Sequence, residues 1–144
     1  MAQKFYKVLQ KDGRPLIVKK AKPYHLPVGD KPGRWMPKVR GGLEVCFNGY
    51  HVCRAKYIGL WVDYGRRNNV AVFEAECRGD GHLSCDGEKF VFRQVRLLRQ
   101  IPLSPKSIRK LYLMWINRES NYRVEQFLER SKRAHKAYMA RKRK

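Results

Sequence analysis

Residues 88–116 read EKFVFRQVRLLRQIPLSPKSIRKLYLMWI, and two periods meet in this one stretch. In its first half the apolar residues Phe90, Phe92, Val95, Leu97 and Leu98 alternate only in part with polar ones. That pattern predicts a long strand carrying a bulge. In its second half Ile108, Leu111, Tyr112, Trp115 and Ile116 recur at i, i+3, i+4, i+7 and i+8, the stripe of an amphipathic helix. Ser104 has the side chain of an N-cap, and Pro105 suits the first helical position. A chain that changes period once, from two to 3.6, belongs to the α+β class. A β-rich body comes first and a helical extension follows.

Upstream of this switch the signals are mostly extended. KFYKVL (4–9) alternates and is rich in aromatic and β-branched residues, so it reads as a strand. KDG is a turn, and PLIVKK (15–20) reads as a possible return strand. Residues 22–42 hold four prolines and four glycines, which predicts a long irregular loop, with Trp35 and Met36 pinning it to the core. LEVCF (43–47) reads as a strand, NG as a tight turn and YHVC as further extended chain. Ala55, Ile58, Trp61 and Val62 approach helical spacing, so a short helix should end at Gly65. NNVAVFEAEC (68–77) is a strand whose apolar positions, Val70, Val72, Ala75 and Cys77, are imperfect in register. GDGHLSCDG is a turn cluster. Downstream, NRESN breaks the first C-terminal helix, and Val124, Phe127 and Leu128 start a weaker stripe running to the basic end. The expected organisation is a compact antiparallel β-rich body with one short helix (1–101), then an amphipathic two-helix extension with a basic tail (104–144).

The charge is lopsided. Thirty-three Lys and Arg face 12 Asp and Glu, for a net +21. Residues 130–144 carry eight of those cations and no acid, yet +13 remains on the rest of the chain. Self-repulsion on this scale suits a polyanionic partner, and nucleic acid is the usual one. The candidate contacts are Arg34, Trp35, Lys38 and Arg40 in the loop, Arg66 and Arg67 in a turn, and Arg93 and Arg96 on the last strand. From the tail come Arg130, Lys132, Arg133, Lys136, Arg141, Lys142, Arg143 and Lys144. Cations would neutralise phosphates while Trp35 offers a stacking face. DNA and RNA fit equally. No recognition-helix motif is present, so backbone binding is favoured over base readout.

The four cysteines and two of the four histidines crowd into two segments: Cys46, His51 and Cys53, then Cys77, His82 and Cys85. Six such side chains could supply the four ligands of a zinc site. Neither group has the tight C-x2-C spacing of zinc knuckles, and free cysteine is usually a small buried hydrophobe. A structural role is therefore expected, with no cofactor. Cys53 with His51 or His82 and Glu74 or Glu76 could be drawn as a nucleophile, base and orienter. No catalytic motif accompanies them, and a non-enzymatic protein is the expectation. The N-terminus lacks an apolar signal segment, and no run approaches the ~18 residues of a spanning helix. A cytoplasmic protein with no membrane partner is expected.

FYKVLQKDG, GRWMPKVRGGLEVC, GYHVCRAK, LWV and EKFVFRQVRLLR follow one another in the order of a known small domain. Over residues 4–99 the chain resembles a family of bacteriophage and actinobacterial proteins that are mostly hypothetical. Glu88 stands where Asp is common in that family. The resemblance implies phage origin, the host bacterial cytoplasm and a compact β-rich fold, and it brings no catalytic residues. The leading expectation is thus a phage-encoded protein that binds nucleic acid, alone or within a host or phage nucleoprotein complex. The alternatives are an anti-defence or host-takeover protein that docks on a host complex, with helix 105–117 as the docking element, and a small zinc module.

Overall fold

The computed structural model describes residues 3–16, 22–45, 48–64 and 69–143. The possible strand 17–20, the end of the 43–47 strand, the helix stop at Gly65, and Cys46, Arg66, Arg67 and Lys144 lie outside them. The fold is α+β, as the change of period predicts. Strands β1 (Phe5–Gln10), β2 (Tyr50–Val52), β3 (Val70–Leu83) and β4 (Phe90–Ile101) form one antiparallel sheet in the order β1-β3-β4-β2. A 3-10 turn (Ala55–Tyr57) leads into α1 (Ile58–Tyr64), and α2 (Pro105–Ile116) and α3 (Asn121–Lys142) follow the sheet.

The sheet curls until its two edge strands meet. Tyr6 and Cys53 exchange both backbone hydrogen bonds, at 2.8 and 2.9 Å. The curl is helped by a bulge in β4, where Glu74 opposes Arg99 but Ala75 opposes Leu97, leaving Leu98 unpaired. A second irregularity falls between Arg78 and Gly81. Beyond it β3 runs on to Leu83, so half of the expected turn cluster is strand. Gly81 is what permits this: a Cβ there would lie 2.3 Å from the Phe92 ring, which occupies that space.

Both faces of the curled sheet are covered. On one side Tyr6, Val8, Val72 and Ile101 pack against Ile58 and Val62 of α1, Ile108 and Leu111 of α2, and Val124 and Leu128 of α3. On the other, Leu9, Phe73, Ala75, Val95 and Leu97 meet Tyr24 and Met36 of the long loop. This double cover explains why residues 70–75 show no clean alternation: Val70 and Val72 face the helices, and Ala71, Phe73 and Ala75 face the loop. The helical extension therefore shares a core with the sheet. The loop runs along β4 past the end of β2, with Gly33, Met36 and Val39 donating to Leu97, Val95 and Arg93. It covers an edge that would otherwise present free hydrogen-bonding groups.

The helices start as their caps dictate. Ser104 Oγ accepts from the Ser107 amide at 3.1 Å and Ser120 Oγ from the Arg123 amide at 3.2 Å. Arg118, with φ 54°, makes the break between α2 and α3. Of the stripe on α2, Ile108 and Leu111 are buried and Trp115 lies half-buried against Tyr57, but Ile116 remains exposed.

α1 and α2 cross at Gly59, where a Cβ would come within 2.2 Å of the Leu111 carbonyl oxygen. Alanine ordinarily stabilises a helix over glycine by about 1 kcal/mol. Here the sign should invert. Gly59→Ala is expected to lower the unfolding free energy by about 1–3 kcal/mol, through overpacking. Urea denaturation measures it, and a midpoint at or above wild type would show that the crossing has slack.

Candidate nucleic-acid interface

The acidic side chains near the sheet are mostly occupied. Glu74 on β3 pairs with Arg99 at 3.2 Å and with Lys132 of α3. Lys132 also reaches Glu129 at 2.7 Å, and Glu129 lies 3.5 Å from Lys4. Glu76 holds Arg96 at 3.2 Å. These pairs fasten α3 across the sheet. Burial alone would lower the Lys132 amine, but the hydrogen bonds it donates to Glu129 and Glu74 outweigh it and leave the amine above the usual lysine range. The same contact holds Glu129 below the usual carboxylate range.

Beyond Lys132 the helix leaves the sheet. Every described residue from Arg133 to Arg143 is exposed, and no acid occurs after Glu129 in the chain. The expected basic tail is therefore a helix to Lys142. At 3.6 residues per turn Arg130, Arg133 and Arg141 fall on the face opposite Val124 and Leu128, and Lys136 falls on the flank shared with Lys132. Arg130 to Arg141 spans about 16 Å along the axis. Arg143 follows as the C-cap, and Lys142 lies 5.3 Å from the Tyr138 ring centroid. None of Arg130, Arg133, Lys136 or Arg141 has an ion pair among the described residues. An open groove of about 740 Å³ beside this helix is bordered by Arg130, His135 and Tyr138 of α3, Lys110 of α2 and Gln100 of β4.

The loop and β4 form a second basic patch. Trp35, half-buried, carries the guanidinium of Arg78 3.8 Å and that of Arg96 4.9 Å from its ring centroid. Arg34, Lys38 and Arg40 lie on the same loop, and all three are exposed. Arg93 is committed to the fold: its guanidinium donates to the carbonyls of Val39 and Gly41 at 3.1 and 2.6 Å.

The candidate residues thus divide. Lys132, Arg93 and Arg96 serve the fold, Arg96 while also facing Trp35. Arg34, Lys38, Arg40, Arg130, Arg133, Lys136, Arg141, Lys142 and Arg143 are available. Arg78, Lys110, His135 and Tyr138 join the surface without standing out in the sequence. Arg78 falls beside a predicted turn, and its two-residue spacing from Glu76 along one strand is the signal that could find it.

The Cys and His residues are spread out. His51 and His82 sit on β2 and β3, each opposite Val91 of the intervening β4, so they stand about two strand spacings apart, roughly 10 Å. Cys53 is buried, Cys77 half-buried and Cys85 exposed. Among the described residues no three His, Cys, Asp or Glu gather as metal ligands do. Burial pushes the Cys53 thiol up to about 12, with Lys7 opposing the shift, so it is not a ready thiolate. Glu74 and Glu76 are taken up by Lys132, Arg99 and Arg96 rather than by either histidine.

Comparison with protein-family models, curated proteins and solved structures finds no match to this chain. Among the described residues no helix is long and apolar enough to cross a membrane.

The Lys132 contacts give a signed pH dependence. A carboxylate held below its unfolded range contributes stability that is full above that range and is lost as pH falls through the folded value. Lys132→Met should lower the unfolding free energy by about 1–2 kcal/mol near neutral pH. It should also flatten the loss of stability on acidification. Chemical denaturation at a series of pH values tests both, and an unchanged acid limb would show that the contact is not what anchors α3.

Proposed function

We propose that the protein binds nucleic acid through its phosphates, with the outer face of α3 as the main contact. The observation that carries this reading is a helix of fixed geometry whose exposed cations have no acidic partner on the described surface. Holding such charges on a rigid helix opposes their mutual repulsion, and a polyanion relieves it. Phosphate contacts of this kind release counterions and need no base sequence. Trp35, with Arg78 and Arg96 over its ring, adds an aromatic and cationic surface of the type on which unpaired bases stack. On this reading the partner is single-stranded or looped nucleic acid in preference to regular duplex. The resemblance to phage proteins fits such a role in a host cell.

A second reading is a docking protein. Leu113 and Ile116 on α2 and Tyr122 on α3 are exposed, at 45%, 54% and 67%. These could seat in a partner protein's groove.

Anisotropy titrations with labelled single strands and duplexes, across a salt series, separate the two. Replacing Arg130, Arg133 and Arg141 together by Glu should weaken binding to every sequence. It should also flatten the log–log salt slope by about 0.7–0.9 for each phosphate no longer neutralised. Absence of binding to any nucleic acid at low salt would defeat the proposal. So would a triple variant with unchanged affinity and slope. Leu113→Ser with Ile116→Ser should leave nucleic-acid binding intact.

A further inference from the structure

The curled sheet leaves a cavity of about 480 Å³ beside the Tyr6–Cys53 junction, within the size range of small-molecule sites. Its wall is mostly apolar and aromatic, with Tyr24, Met36, Tyr50 and Trp61 prominent. Lys7 enters it from β1. Lys7 lies on the strand face shared by Phe5 and Leu9, where an apolar residue would ordinarily stand. Its ammonium donates to the His51 carbonyl at 2.6 Å and lies 5.3 Å from the Tyr24 ring centroid. Among the described residues Lys7 has no ion pair, and the described wall contains Lys22 and Lys89 but no Asp or Glu. A cation placed in an apolar cavity without a counterion is costly to hold.

We propose that this cavity binds a small organic monoanion with a flat apolar body, such as an aromatic carboxylate, its charged group meeting Lys7. A flat apolar body matches a wall that carries the rings of Tyr24, Tyr50 and Trp61. One carboxylate matches one half-buried ammonium, whereas a phosphate monoester, carrying nearly two charges, would bring a larger desolvation cost into the same apolar wall. Lys22 and Lys89 add positive potential to the wall. The proposal does not depend on nucleic-acid binding and can hold if that fails.

The site also fixes a pH response. Burial lowers the Lys7 amine to about 8. The other titrating groups around it lie elsewhere. Burial, then Lys7 and Lys89, lower His51 to about 4, and burial raises Cys53 and Cys77 to about 12. Burial raises the hydroxyls of Tyr6 and Tyr24 above the usual tyrosine range. Anion affinity should therefore be full well below pH 8 and fall as pH rises through about 8 and Lys7 loses its proton.

The test is calorimetric titration of the full chain with 2-naphthoate and with neutral 2-naphthamide, from about pH 7 to about pH 10, a window that brackets the lowered Lys7 value of about 8 and ends below ordinary lysine titration. The expected result at the lower pH is one naphthoate per chain, bound about tenfold or more tighter than the amide. That advantage should shrink with rising pH, and Lys7→Met should bind the acid no better than the amide. Should Lys7→Met fail to fold, the acid–amide difference and its pH profile in the wild-type protein decide the matter. No binding, equal binding of acid and amide, or a flat pH profile would each overturn the proposal.

Discussion

Two backbone hydrogen bonds between Tyr6 and Cys53 set the shape of the molecule. They require the four-stranded sheet to curl through a full return, because β1 and β2 stand at opposite ends of the strand order. The interior of so narrow a sheet is divided between packed rings and a cavity. Phe5, Phe90 and Phe92 pack together at one end, with ring centroids 5.1 and 5.2 Å from Phe5 to the other two. The convex side is left to the three helices. β2, only three residues long, covers the start of β4 and no more, so the proline-rich loop has to continue along that edge. Prolines suit this task, since a loop that bonds β4 at every third residue does not need every amide.

The same curl sorts the charges. Residues 70–75 are buried on both faces except for Glu74, and its carboxylate gathers Arg99 and Lys132. The few acids near the sheet are thereby used to fasten strands and α3 together. The positive excess is then concentrated where the fold has no use for it, on the far turns of α3 and on the loop. Lys132 and Arg133 show the division in consecutive residues. One points to the sheet and completes an ion-pair cluster, and the other is exposed with no partner among the described residues. Net charge by itself cannot distinguish these two roles, but helical phase can.

This division also marks what is legible in the sequence. The period switch at residues 88–116, the bulge in β4 and the cap Ser104 express local rules, and the structure follows them. β3 beyond Cys77 does not read as strand, because Gly79, Asp80 and Gly81 carry the local signature of a turn. Their pairing with β4 is decided by Phe92, which lies over Gly81, and that contact is tertiary. The alternation of residues 70–75 fails for a related reason, since a sequence does not state that both faces of a strand will be covered. Within the candidate interface the cations are legible as a set, whereas the commitment of Arg93 and Lys132 to the fold requires knowing where Gly41 and Glu74 lie.

Lys7 reads as the polar half of an alternating strand, and in an open sheet it would face water. Closure turns that face inward. Phe5 and Leu9 gain from the change, and Lys7 loses. Its aliphatic stem can lie along apolar neighbours, but its ammonium has only the His51 carbonyl and the Tyr24 ring to replace water. A leucine or valine at this position would fit the surrounding core with no such cost. The fold uses this half-buried ammonium in one hydrogen bond, to the His51 carbonyl, and the rest of its surroundings is a cavity that a small anion would complete.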